Sequence, residues 1–71
     1  MRHVTALRRA RFEAGLTQAA LARRAQIARQ VLSDLEHGRR EPRLTVARAL
    51  AKVLGVTPED LFPDTDNGAA A

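Results

Sequence analysis

Between Thr17 and Gly38 the chain reads TQAALARRAQIARQVLSDLEHG, and this stretch limits the fold more than any other. Its apolar residues recur at helical spacing in two blocks, Leu21, Ala22 and Ala25 in the first and Val31, Leu32 and Leu35 in the second. The gap around Gln26 and Ile27 leaves room only for a tight turn. Small alanines in the first block let a second helix approach closely. In the second block Arg29, Gln30, Ser33, Asp34 and His37 fall largely on other sides. The expectation is two short helices within about residues 17–37, the second over roughly 29–37, carrying an open polar face and stopping at Gly38.

The same spacing extends to both sides. Val4, Leu7, Phe12 and the nearby Leu16 trace the apolar side of a first helix over roughly 4–14, with Gly15 as its left-handed stop. Thr17 is placed to cap the second helix, although Ala20 removes the reciprocal partner of a capping box. After the charged loop RREPR at 39–43, Leu44, Ala47, Leu50, Ala51 and Leu54 predict a fourth helix ending at Gly55. Thr57, Pro58, Glu59 and Asp60 then supply an oxygen cap, a proline where no amide donor is needed, and acids at the positive helix end. Leu61 and Phe62 close the core, and Pro63 ends the turn. The predicted fold is all-α, one five-helix domain over 1–63, followed by an acidic, alanine-rich flexible tail at 64–71.

Length and charge narrow the function. A chain of 71 residues has room for one domain with a small core. Cysteine is absent, so neither disulfides nor a thiolate metal site is available. Neither a signal peptide nor an 18-residue apolar run is visible, and the expectation is a soluble, cytoplasmic protein that does not bind membranes. The net charge of +4 hides an asymmetry: positions 1–58 hold all twelve Arg and Lys against four acids, a surplus of eight. Such a field favours a polyanion, nucleic acid first, with an anionic membrane as the electrostatic alternative and simple solubility as the plain one.

Catalysis finds no support. His3 and His37 lack companions, and Ser33 beside Asp34 is not a nucleophile system, because adjacent helical residues point in different directions. The expectation is no catalytic residue, no metal, no cofactor and no small-molecule effector.

Two short helices joined by a tight turn, the second polar on its open face, support a helix-turn-helix bundle. If the third helix docks in a DNA major groove, its first turn reaches base edges and its free amides suit phosphate. Arg29 can then bind guanine bidentately and Gln30 adenine, with Ser33 and Asp34 one turn on, Asp34 accepting from a cytosine amino group. The alternative for Asp34 is to orient Arg29 or Arg39, or to solubilise the face. Gln18, Arg39, Arg40 and Arg43 rim that face and fit phosphate contacts, against the alternative of a solvated basic loop. Arg23 and Arg24 have no clear direction.

The run LTQAALARRAQIARQVLSDLEHG, followed by EPRL and by LAKVLGVTPEDLF, resembles the Cro/C1-type, or XRE-family, helix-turn-helix domain of phage repressors and small bacterial transcriptional regulators. It covers about residues 5–63. The resemblance implies a compact, lambda-repressor-like five-helix domain that dimerises on double-stranded operator DNA. It implies Gln18 on phosphate, the first turn of helix three and position 34 on bases, and the loop after Gly38 along the backbone. It also implies an ion pair between Arg11 and Glu36, the alternative being a phosphate-facing Arg11. In relatives the dimer interface maps to the region from Val53 through Val56 to Leu61 and Phe62, residues that can equally complete the core. Two departures stand out. Ala28 replaces the usual Ser or Thr cap, and Gln26 replaces the usual glycine in the turn, implying strain if the backbone there is left-handed.

The expected function is a sequence-specific regulator, a dimeric repressor or controller. The alternative is a protein-interaction module, such as an antitoxin or accessory regulator, whose specificity depends on a protein partner.

Overall fold

Thr5 sets where the first helix begins: its Oγ1 accepts from the Arg8 amide at 3.1 Å, satisfying one of the free donors of the first turn. The computed structural model describes residues 5–63. These form five helices, α1 (Ala6–Glu13), α2 (Gln18–Ala25), α3 (Arg29–Glu36), α4 (Leu44–Leu54) and α5 (Pro58–Leu61). The first helix therefore starts two residues later than its apolar pattern suggests. Val4, His3 and the tail expected at 64–71 lie outside the described residues.

α2 packs on α3 and α4, α4 on α5, and α1 on α3 and α5. Leu7, Leu21, Leu32 and Leu50, one from each of the first four helices, are fully buried at the centre. Ala22, Ala25 and Ala51 let the helices close around them, and Leu35 and Leu61 complete the cluster. α5 is short but strongly capped. Thr57 accepts from the Asp60 amide at 3.2 Å, and the Thr57 amide donates back to the Asp60 carboxylate at 3.1 Å, with Pro58 at the first helical position.

Two apolar residues depart from expectation, and a third takes one of the two places foreseen for it. Phe12, expected on the apolar side of α1, is 55% exposed, because Leu7 and Arg11, one turn apart, form the inward face. At about 100° per residue, position 12 is rotated roughly 140° from position 7. The Phe12 ring is flanked by two guanidinium groups, Arg8 at 5.3 Å and Arg11 at 4.7 Å from its centroid. Leu44 shares the stripe of Ala47 and Ala51 but stands in the first turn of α4, where the core runs out, and is 62% exposed. Leu61, mapped to a dimer interface, is instead buried in the core, while Val53, Val56 and Phe62 are half-buried against it.

The first four helices stop in the same way. In each, the residue in left-handed conformation donates to the carbonyl three positions back, and the next residue donates to the carbonyl five positions back. Gly15, Gly38 and Gly55 hold the left-handed position after α1, α3 and α4, all at φ 72°. After α2 it is held by Gln26, at φ 61° and ψ 43°, where a side chain carries a steric cost. Two residues on, Ala28 offers no side-chain cap to α3. Replacing Gln26 with glycine should stabilise the protein by about 1 kcal/mol, after the extra flexibility of glycine in the unfolded chain is offset. The thermal midpoint should rise by roughly 4–8 °C; an unchanged or lower midpoint would show that the turn is unstrained.

Candidate nucleic-acid interface

α3 buries Leu32, Leu35 and Glu36 and turns Arg29 and Gln30 outward, with Ser33 and Asp34 half-buried beside them. Two carboxylates organise this face, one dry and one near solvent.

The dry one is Glu36. Arg11 donates to it twice, Nε to Oε2 at 2.6 Å and Nη2 to Oε1 at 3.0 Å, and Arg11 Nη1 reaches the Leu16 carbonyl at 3.0 Å. The two side chains are only 8% and 1% exposed. Gln18 adds a third donor to the carboxylate, Nε2 to Oε1 at 3.1 Å, which turns its own Oε1 toward Arg29 Nε at 3.4 Å. A polar chain thus runs from the core to the exposed start of α3. It sets Gln18, at the first position of α2, beside Arg29, at the first position of α3. The second hydrogen of the Gln18 Nε2 remains available to an outside acceptor.

The second carboxylate is Asp34, whose side chain is 16% exposed. Gln30, one turn earlier, donates Nε2 to its Oδ1 at 3.0 Å. The left-handed turn at Gly38 folds the chain back, and the Arg39 amide donates to the Asp34 carbonyl at 2.8 Å. That brings Arg39 Nη1 to Oδ1 and Arg40 Nη2 to Oδ2, both at 3.3 Å. The Gln30 hydrogen bond, and after it the two arginines, hold the Asp34 carboxyl below the usual aspartate range, against an opposing effect of burial. Asp34 is therefore ionised at neutral pH. Arg29 does not reach it; of the two arginines anticipated as partners, the structure joins only Arg39.

His37 Nδ1 donates to the Ser33 carbonyl at 2.8 Å, a local bond at the end of α3. Arg43 precedes α4, exposed and without an ion pair among the described residues. Arg23 and Arg24 are exposed on α2. The roles of Gln18 and Arg40 inside the protein were not foreseen from sequence. The i, i+4 spacing of Gln30 and Asp34 is the one signal that could have shown part of this network. No helix among the described residues is long and apolar enough to cross a membrane.

A helix-turn-helix family model matches residues 7–61. The chain is 42% identical over 66 residues to an uncharacterized HTH-type transcriptional regulator of Methanothermobacter thermautotrophicus, covering 92% of this chain and 96% of that protein. It is 43% identical over 58 residues to the uncharacterized HTH-type transcriptional regulator y4dJ of Sinorhizobium fredii, covering 82% of this chain and 75% of the relative. Among solved structures, the restriction-modification controller protein C.AhdI from Aeromonas hydrophila superposes with a TM-score of 0.75 at 33% identity, over 80% of this chain and 86% of that one.

Glu36 is the test of the polar chain. Removing its carboxylate by Glu36→Ala strands the buried Arg11 guanidinium and should cost about 3–5 kcal/mol in urea unfolding, a large part of the stability of so small a domain. The double variant Arg11→Met with Glu36→Leu removes both charges and should be clearly more stable than Glu36→Ala. If it is not, stranding of Arg11 is not the cause of the loss.

Proposed function

This chain belongs to the helix-turn-helix family of DNA-binding transcriptional regulators, of XRE or Cro/C1 type, and from that premise we propose that it reads a two-fold symmetric operator as a homodimer, with α3 in the major groove. One observation carries this reading. Arg29 and Gln30 stand exposed in the first turn of a helix whose amino end has no side-chain cap, between Gln18 on one flank and Arg39 and Arg40 on the other. The types and the placement fit together. An uncapped helix start offers its amides to phosphate, Arg29 suits guanine, Gln30 suits adenine, and Ser33 and Asp34 can extend the reading by one turn. Gln18, Arg39, Arg40 and Arg43 suit the phosphates on either side, fixing register and supplying salt-dependent affinity.

A dimer follows from length. α3 has eight residues, about 12 Å of helix, which spans only a few base pairs. Two copies on successive major grooves multiply that limited reading. Val53, Val56 and Phe62, half-buried along the end of α4 and around α5, are the surface proposed for the contact; Leu61 supports it from within the core. The domain proposed to act is residues 1–63, working on DNA in the cytoplasm as a repressor or controller. The likeness to a restriction-modification controller protein favours the controller reading.

Selection of bound duplexes from a random library, then titration of the winner at two salt concentrations with stoichiometry recorded, tests the proposal. Enrichment of a two-fold symmetric site bound by two chains is expected; salt-sensitive binding without enrichment, or tight one-to-one binding, would refute it. On the selected site, Arg29→Ala or Gln30→Ala should cost about 1–3 kcal/mol per half-site and relax preference at one base pair. Arg43→Ala should instead weaken all sequences alike and lower the salt slope by about one per subunit.

A further inference from the structure

We propose that Asp34 is a specificity-determining counter-charge, which ties up Gln30, Arg39 and Arg40 in the DNA-free protein and thereby suppresses binding to non-operator DNA. The inference rests on the DNA-reading role proposed for α3 and deepens it.

All three donors on the Asp34 carboxylate are side chains assigned above to DNA, one to a base and two to phosphate. Both oxygens are engaged. The arrangement is built into the backbone: Gln30 sits one helical turn before Asp34, and the Gly38 stop folds Arg39 and Arg40 back over the helix. The tether is also releasable, since Arg39 and Arg40 are 59% and 49% exposed and pairs so open to water are individually weak.

A DNA phosphate that draws Arg39 and Arg40 toward the backbone competes with Asp34 for them, although each guanidinium spends only one of its five N–H donors on the carboxylate. The carboxylate is then left close to a polyanion, where like charges repel. At a random sequence nothing replaces the lost donors. At an operator that places a cytosine or adenine amino group beneath position 34, a base donates to the carboxylate and replaces part of the lost bonding. Phosphate contacts alone are the whole of non-specific binding, so the cost falls mainly there. Glu41 lies in the same loop, exposed and outside this network, and it separates the effect of a tether from that of net charge.

The test compares full-length wild type, Asp34→Asn and Glu41→Gln on a non-specific duplex and on the selected operator across a salt series. Both variants remove one negative charge. Asp34→Asn should bind the non-specific duplex about tenfold more tightly, with a salt slope steeper by about one per subunit, while its affinity for the operator rises less or falls. Glu41→Gln should change non-specific affinity much less. Equal gains in the two variants would overturn the tether in favour of net charge. A loss at the operator with unchanged non-specific binding would reduce Asp34 to an ordinary base reader. Asp34→Ser, with a different side-chain volume, repeats the comparison should the asparagine variant fold poorly. Failure of the parent reading appears separately, as the absence of any enriched operator for the wild type.

Discussion

The ion pair between Arg11 and Glu36 is the contact on which the arrangement of α1, α2 and α3 depends. Burying two charges is costly, and the cost is offset only where geometry is good and the remaining donors and acceptors are used. Both conditions hold here. The guanidinium meets the carboxylate as a two-pronged fork, spends another donor on the Leu16 carbonyl, and has one face against Phe12. The carboxylate takes Gln18 as well. An apolar pair at these positions would hold α1 to α3 equally well. It could not aim the Gln18 amide, and through it Arg29, at the open side of α3.

Around that anchor, local preference and tertiary packing agree at most helix ends; α3 and α4 start without a side-chain cap, and the disagreement is greatest in one turn. Three stops have glycine in the left-handed position, and the fourth has Gln26. The next helix starts at Ala28 without a side-chain cap. The least favourable local backbone thus lies in the turn that presents α3. Leu21 before it and Leu32 after it are fully buried, so packing on both sides imposes a conformation that the turn residues would not choose.

This division explains what could be read from the amino-acid sequence. The five helices and their caps were legible at Thr17 and Thr57, and their inward residues at Leu21, Leu32 and Leu50, because these obey period and capping chemistry with few competing choices. Phe12 was misplaced for a specific reason. The inward position one turn after Leu7 is held by an arginine, and its burial depends on a glutamate 25 positions away that no local pattern reveals. Leu44 and Leu61 show the converse, that an apolar identity does not say whether a neighbour is present to cover it or a surface is left to display it. In the candidate interface the residue types were visible, and so were two pairings, Arg11 with Glu36 through the family resemblance and Arg39 with Asp34 as an alternative role; the partners of Gln18 and Arg40 were not. Only Gln30 with Asp34 lies within one helix; the bonds from Gln18 to Glu36 and from Arg40 to Asp34 exist because α2 and the α3–α4 loop come back to α3.

The two carboxylates of α3 divide the proposed interface into a rigid part and an adjustable part. Glu36 is almost without solvent, so its attraction for Arg11 is little screened by dissolved ions, and the placement of Gln18 and Arg29 that follows from it should hardly depend on salt. Asp34 holds partners that are half in water, and those contacts weaken as ionic strength rises. The phosphate contacts proposed for Arg39 and Arg40 weaken under the same conditions. Tether and phosphate therefore lose strength together, and the balance between them shifts less with salt than either alone. On the proposed reading, such a design would let a small basic domain keep its discrimination when its overall affinity changes, because what orients α3 lies in the core and what restrains its charge lies on the surface.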